Sequence, residues 1–380
     1  MAFPASFSDF LGNTQSIQDL RAAIAAGRLP HSTILAGASG SGKYTLALLL
    51  TLALECDRQP RETARDGREL AGFCGVCPQC TRILQATDLD ARIAEALASR
   101  EEMRETDKKE TRVLVQTHPD VLIVPPDPPQ LLIKLGQIRT LIARAQYVPT
   151  EAPARVFIIT SAAFMKEAAN SLLKLLEEPP ERVYLMLLAE NTGELLPTIR
   201  SRCAVVRLGA LPPEEIANLL AERRPELKPA DRELVARLSE GAAGRALSFD
   251  LPAYQAARAD AFTVLATLDH TGDHAPLFRL TETYRAGAEG QEKTRILLGA
   301  MAGLLEDLLL LHHGAGAQVR NVDRRADLGR IADSLDFHAI EAAVRGLDAV
   351  RSGMRRNLLR SLSLDAFALG LGTPRSGTSF

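Results

Sequence analysis

The stretch Gly37-Ala38-Ser39-Gly40-Ser41-Gly42-Lys43 is the part of this 380-residue chain best equipped for chemistry. Two glycines five residues apart, followed by lysine, let successive backbone N–H groups wrap a polyphosphate while the ammonium reaches its outer oxygens. Gly37, Gly40, Ser41, Gly42, Lys43, Tyr44 and Thr45 are therefore the candidate nucleotide-binding residues, with ATP or ADP as the ligand. A Ser or Thr hydroxyl directly after the lysine would hold Mg2+, but that position is Tyr44, and Thr45 comes one step later. A phenol projects too far to take the same coordination place, so phosphate contact is expected and Mg2+ is not. A glycine turn that only caps a helix is the plainer alternative.

An ATPase also needs carboxylates at the end of a second strand, one for the metal and one to orient water. The strand-like run Val156-Phe157-Ile158-Ile159 is followed by Thr160-Ser161-Ala162-Ala163, and no acid occurs before Glu167. Hydroxyls cannot replace a metal-binding aspartate or a general base at neutral pH. The expectation is a chain with no acidic side chain in reach of Lys43 and no hydrolysis of its own.

Cys74, Cys77 and Cys80 form a C-x-x-C-x-x-C run, with Cys56 upstream and Cys203 far downstream. Three sulfurs on a turn can converge on one tetrahedral ion, and Cys56 is the nearest fourth cysteine in sequence. Four thiolates suit a closed, structural Zn2+ site; an iron–sulfur cluster or idle thiols are the rivals. Cys203 reads as a small buried hydrophobe.

These residues need elements to place them. Thr33–Ala36 reads as a buried strand running into the glycine loop, and Leu46–Leu54 as the helix after it. Val121–Val124, Arg155–Thr160 and Val183–Ala189 read as further strands, with helices over Gln137–Ala145 and Lys166–Glu178, the latter stopped by Pro179-Pro180. Strands alternating with helices imply a parallel sheet covered on both faces. Beyond Leu211-Pro212-Pro213 the pattern to Leu371 is helical. The expected fold is an α/β nucleotide-binding-like domain followed by two all-helical units. Between Arg100 and Arg112 ten residues are charged, five of each sign, so the polar insertion over 81–117 reads as a solvated helix or a disordered arm.

Composition sets limits. Lysine and arginine number 45 against 47 aspartates and glutamates, a net charge of −2, which excludes a surface that holds DNA by charge alone. Trp is absent and aromatics make up 4%, leaving little for a base-stacking platform. Ile296–Leu311, broken by Glu306 and Asp307, reads as a buried helix rather than a membrane span, and Met1–Phe10 lacks the basic residue of a signal peptide. A cytoplasmic, thiol-preserving location is the expectation.

With these residues in view, the chain resembles the AAA+ clamp-loader subunits of bacterial DNA polymerase III, most closely the delta-prime subunits, from about Leu11 to Leu247. Leu11-Gly12 and Arg28-Leu29-Pro30-His31 are similar to segments flanking the nucleotide base in that family. His118-Pro119-Asp120, Gln137-Ile138-Arg139, the helix Asn170–Pro180 and Ser201-Arg202-Cys203 also match family segments, whereas the last third matches weakly, chiefly over Asn357–Leu362.

The resemblance implies a RecA-like AAA+ domain over 1–209 containing a zinc module (56–80, ligands Cys56, Cys74, Cys77 and Cys80) and the charged insertion 81–117. A helical lid over 210–255, a helical collar over 256–371 and a flexible tail over 372–380 follow. It implies motor and delta subunits as partners in a hetero-oligomeric ring, with the sliding clamp and primed DNA met through the assembly and no membrane. No catalysis is then expected from this chain alone, only membership of a polymerase holoenzyme. Thr160 and Ser161 stand where a motor subunit has its acidic pair, and Gly244 stands where a motor subunit has a sensor arginine, with Arg245 one position later. A motor subunit with its own ATPase activity is the alternative, and a zinc-based nucleic-acid module a third reading.

The resemblance further implies that Arg202 acts in trans, neutralising transition-state charge in a neighbour's ATP site, an effect worth about 10³ to 10⁵ in rate elsewhere. A surface salt bridge, for instance to Glu194, is the bland reading. Glu177-Glu178 reads as a helix-end surface pair, His312-His313 as a helix C-terminal cap, and His118 as part of a loop.

Overall fold

The computed structural model describes residues 3–104, 111–265, 287–335 and 337–355. The chain divides into two compact units, one formed by Met1–Pro212 with Gly241–Arg245, the other by Pro213–Glu240 with Ala246–Phe380. Residues 213–240 thus group with the C-terminal helices, while the five residues from Gly241 return to the first unit.

The first unit is built on a six-stranded sheet. Its strands are β1 (Ser32–Ala36), β4 (Val115–His118), β5 (Val121–Val124), β6 (Arg155–Ile159), β7 (Val183–Ala189) and β8 (Ala204–Arg207). They lie in the order β4-β5-β6-β7-β1-β8, parallel except for the antiparallel pair β4-β5. Every residue of β1, β5 and β6 is buried, as a parallel sheet covered on both faces requires. Side chains alternate between two cores: Leu35, Val156 and Ile158 face one, Ile34, Phe157 and Ile159 the other. A separate hairpin pairs β2 (Arg61–Thr63) with β3 (Glu69–Ala71).

Helix α1 (Thr14–Ala25) and helix α2 (Lys43–Glu55) cover the first face. Leu46 to Ala53 of α2 are buried without a break, so this helix is apolar all round and runs through the core. Helices α3 (Pro78–Leu84) and α4 (Leu89–Glu101) follow. The opposite face carries α5 (Leu135–Ala145) and α6 (Lys166–Glu177), whose buried residues repeat at helical spacing, for example Ala168, Ala169, Leu172, Leu175 and Leu176. Short helix α7 (Pro197–Arg200) leads into β8.

The expected strands and helices of this unit appear close to their sequence boundaries, but β2, β3, β4 and β8 were not anticipated. Each is short, and β2 and β8 carry no fully buried residue to betray them. The segment 81–117 is not one arm: it holds the end of α3, all of α4 and most of β4, while residues 105–110 lie outside the described residues. Helix α4 is tied down through Arg100, whose Nη1 lies 2.9 Å from a carboxylate oxygen of buried Asp127.

His118 is not in a loop but closes β4, fully buried. Its Nδ1 accepts from the Asp120 N–H at 3.1 Å, so Nε2 carries the proton and donates to Gln79 Oε1 at 2.6 Å. Asp120 accepts from the N–H groups of Thr150, Glu151 and Ala152 and pairs with Arg155 at 2.8 Å. Burial raises the Asp120 carboxyl pKa, yet these N–H groups and the guanidinium outweigh it and leave it below its ordinary value. His118-Pro119-Asp120 therefore works as a structural knot joining α3, the β4–β5 turn and the approach to β6.

The second unit contains α8 (Pro213–Arg223), α9 (Pro229–Leu238), α11 (Leu251–Leu265), α12 (Gly287–His312), α13 (Arg325–Ser334) and α14 (Phe337–Arg355); α10 (Ala243–Leu247) lies at its junction in sequence. Helix α12 carries the apolar run expected over Ile296–Leu311. Its Asp307 is fully buried and accepts from the Arg320 and Asn321 N–H groups and from Asn321 Nδ2. Asn321 Oδ1 in turn accepts from Tyr254 and Arg258, so the charge that broke the apolar run is fully partnered. His313 Nδ1 lies 2.9 Å from Leu309 O at the end of α12. No helix among the described residues is long and apolar enough to cross a membrane. The Asn357–Leu362 segment, the tail 372–380 and parts of the expected collar lie outside the described residues.

Burial holds His118 neutral, with its pKa below the ordinary 6.5. A base whose folded pKa is depressed contributes stability that is complete above its unfolded pKa and is lost as pH falls toward the folded value. Urea unfolding should therefore show stability declining from about pH 7.5 to about pH 5.5, with a shallower decline in His118→Gln; equal slopes would remove His118 as the source.

Candidate nucleotide site and metal centre

The glycine loop leaves β1 at its C-terminal end and turns directly into α2. Strand β1 lies between β7 and β8, and the chain leaves β1 toward the far side of the sheet while β7 leads past β1 to β8. The crevice above such a reversal is where open α/β sheets bind ligands. Gly40 and Gly42 have φ of 78° and 87°, a conformation that glycine takes without strain. Gly42 caps α2, whose first-turn N–H groups lack intrahelical partners and point into the loop.

The loop is also packed by its own chain. A Cβ on Gly40 would stand 2.5 Å from Arg245 N, and one on Gly42 2.9 Å from the Phe10 ring. The Gly244 N–H donates to Gly40 O at 2.8 Å, placing the Gly241–Ala242–Ala243–Gly244 turn on the loop by backbone contact. Lys43 Nζ donates to Gly37 O at 2.6 Å and Ala38 O at 2.8 Å. Ser41 Oγ is buried without a hydrogen-bond partner among the described residues, a free acceptor and donor in the glycine loop that suits a phosphate oxygen. Tyr44 turns away: its hydroxyl donates to Ala86 O at 2.6 Å and its ring packs with the α2–α3 core. Thr45 occupies the first turn of α2.

Contrary to the expectation of no acid in reach of Lys43, acidic side chains do lie near it, beyond β7 and not at the end of β6. Burial pulls the Lys43 ammonium below the ordinary lysine range, and the carboxylates of Glu190 and Glu194, just beyond β7, act against that pull. No ion pair joins either of them to Lys43 among the described residues; the ammonium bonds to the two loop carbonyls instead.

Cys56 follows the last residue of α2, and Cys74, Cys77 and Cys80 surround the N-terminus of α3, with Gly75 at φ 72° making the tight turn. All four Sγ atoms lie within 4.8 Å of one another. Tetrahedral thiolate coordination at about 2.3 Å per bond needs sulfurs about 3.8 Å apart, so the cluster fits a metal ion after slight contraction. Backbone N–H groups of Gln59 and Cys74 point at Cys56 Sγ, that of Cys77 at Cys74 Sγ and that of Cys80 at Cys77 Sγ. Such donors favour thiolate over thiol. Burial works the other way: it pushes the Cys80 thiol up, and for Cys74 it is outweighed by the Val76 and Cys77 N–H groups, which bring that thiol down to about 6. Cys203 stands apart, its thiol raised by burial to about 11.

Arg202 follows α7, before β8. Its partner is Glu177 at the end of α6, not Glu194: Nε lies 2.9 Å and Nη2 2.5 Å from Glu177 Oε1, and Nη1 donates to Thr198 O.

The family model described as "DNA polymerase III, delta subunit" matches residues 12–212. That span covers the phosphate loop, the cysteine cluster and Arg202. The chain belongs to the DNA polymerase III delta-subunit family.

Among relatives of the delta-subunit family, DNA polymerase III subunit delta' of Escherichia coli K12 is 28% identical over 349 residues, covering 90% of each chain. This bears out the resemblance to delta-prime read from the motifs. DNA polymerase III subunit tau of the same organism is 29% identical over 250 residues, 64% of this chain but only 32% of tau, so the chain spans about a third of that relative. A solved gamma-subunit-related protein of Thermotoga maritima aligns over 94% of this chain and 98% of that one, with a TM-score of 0.41 and 18% identity.

One family segment is placed differently from expectation. His31 lies before β1, at the opposite end of that strand from the glycine loop. It stacks on Tyr184 at 5.3 Å, and its Nδ1 lies 2.8 Å from Val183 O. With about 3.3 Å per strand residue, it is roughly 20 Å from Gly37 and cannot flank a nucleotide bound there.

Metal analysis of the purified protein should find close to one tightly held ion per chain, and Cys80→Ser should lose it together with thermal stability. A metal-free chain of unchanged stability would leave the four sulfurs as plain thiols.

Proposed function

We propose that this chain is a non-hydrolysing, delta-prime-type subunit of the replicative clamp loader. In this role it lends Arg202 to the ATP site of a neighbouring motor subunit while the assembly loads the sliding clamp onto primed DNA. The observation that carries the reading is the end of β6. Ile159 gives way to Thr160 and Ser161, and no carboxylate follows before Glu167 in α6. A nucleotide held by Ser41, Gly42 and Lys43 would gain phosphate contact there but no divalent ion and no general base from β6. Tyr44 supports this, since its phenol is committed to Ala86 O and the position directly after Lys43 offers no hydroxyl to a metal. ATP or ADP would bind without Mg2+.

Arg202 supports action in trans by its place and chemistry. Its guanidinium is about one-third exposed at the C-terminal end of a short helix, and arginine stays charged while bridging phosphate oxygens. In this reading Cys56, Cys74, Cys77 and Cys80 hold one structural Zn2+, the all-sulfur donor set leaving no position for chemistry. Residues 1–209 act as the AAA+ domain, 210–255 as the lid and 256–371 as the collar that joins the other subunits.

The second reading, a motor subunit with its own ATPase activity, is favoured by one observation: Glu190 and Glu194 both act on the Lys43 charge. The two readings part in a turnover assay. The isolated chain should show no steady ATP hydrolysis above background; hydrolysis that Lys43→Ala abolishes overturns the proposal and makes Glu190 and Glu194 the acids to test. In the reconstituted assembly, Arg202→Ala should slow ATP turnover by about 10³-fold or more if the arginine acts as a finger does elsewhere. Unchanged turnover returns Arg202 to an ordinary surface pair.

A further inference from the structure

The guanidinium of Arg202 is held by its own chain on two sides. Nε and Nη2 both meet Glu177 Oε1, at 2.9 and 2.5 Å, so the carboxylate grips the side edge of the fork. Nη1 donates to Thr198 O at 2.9 Å, with Ser201 Oγ at a longer 3.3 Å. Five N–H bonds radiate from a planar guanidinium; with Nε and one Nη2 hydrogen on Glu177 and Nη1 on Thr198 and Ser201, the second Nη2 hydrogen points away from Glu177. That hydrogen lies on the end edge of the fork, the edge that can meet phosphate oxygens.

We infer that Glu177 is a positioning residue for Arg202, fixing the plane of the guanidinium so that its end edge faces outward before any triphosphate arrives. The inference rests on the reading of Arg202 as a group acting on a neighbour's nucleotide, and adds the residue that sets its geometry. The two partners are fixed separately. Glu177 ends α6 because the Glu178–Pro179–Pro180 step cannot continue a helix, and Glu178 has left helical geometry with ψ at 68°. Arg202 follows α7, which packs on α6. Both side chains are substantially exposed, at 33% and 48%, so the pair contributes little to stability and its consequence falls on orientation. A long flexible side chain that is ordered in advance loses less freedom when it meets the transition state. The negative charge of Glu177 opposes phosphate approach, but solvent screens it at this exposure.

The test is a double-mutant cycle on ATP turnover by the assembly reconstituted with its cognate P-loop ATPase subunits. Glu177→Ala should lower kcat about three- to tenfold with KM for ATP little changed, because orientation is lost and not binding. Glu177→Gln keeps an oxygen acceptor at the same place and should restore part of that loss. The double variant Glu177→Ala/Arg202→Ala should turn over no more slowly than Arg202→Ala alone, since Glu177 acts only through the arginine. If Arg202→Ala slows turnover but Glu177→Ala leaves it unchanged, raises it, or adds to the Arg202 loss, Glu177 is not the positioning residue and the finger reading survives. If Arg202→Ala itself changes nothing, the finger reading falls and this inference falls with it. Sedimentation of each assembly checks incorporation; should Glu177→Ala fail to assemble, the cycle is read with Glu177→Gln, expected to show a smaller loss that likewise vanishes in the Arg202→Ala background.

Discussion

Hydrogen bonding of β1 along both of its edges is the constraint on which the site depends. Ser32 to Ala36 pair with Leu185 to Ala189 of β7 on one side, and Thr33 to Ala36 pair with Ala204 to Arg207 of β8 on the other. A strand held in this way cannot shift register without turning buried side chains to the wrong core. Its end fixes where the glycine loop begins, the end of β7 fixes Glu190 and Glu194, and the start of β8 fixes the segment that carries Arg202. One ladder thus sets the relative places of a phosphate cradle, the nearest acids and the exposed arginine. Strand β6 lies one position further out, and Thr160 and Ser161 follow it where an acid pair would be needed.

The parts legible in the sequence were those that bury continuous apolar surface. Strands β1, β5, β6 and β7 announce themselves as short runs of Ile, Leu, Val and Phe, and α2 as an unbroken apolar helix after glycine. Strand β4 carries Gln116 and Thr117 between its two buried ends, and β8 sits on the sheet edge only half buried, so neither offers a pattern distinct from loop. The cysteine cluster was equally legible because its ligands are mostly local in sequence, and the fold brings Cys56 to the other three.

Direction and long-range pairing were not legible. The sequence shows that Tyr44 replaces a small hydroxyl, but not that its phenol turns to Ala86. It shows acids at 177, 178, 190 and 194 alike, and only the packing of α6 against α7 selects Glu177 for Arg202, twenty-five residues away. His118 misled for a similar reason: a histidine before proline resembles a loop, whereas the β4–β5 turn buries it against Gln79. Nothing in the sequence assigns Glu190 and Glu194 to Lys43, because it is the sheet order that sets the end of β7 directly beside β1.

Helix α2 is anchored at both tips by different chemistry: Gly42 begins it at the cradle, and Cys56 follows its last residue in the sulfur cluster. At 1.5 Å per residue its thirteen residues make a strut of roughly 20 Å. A rod pinned at both tips and sheathed in leucine can neither slide along its axis nor roll. An ion held by the four sulfurs would therefore fix the far end of the same helix that begins at Lys43.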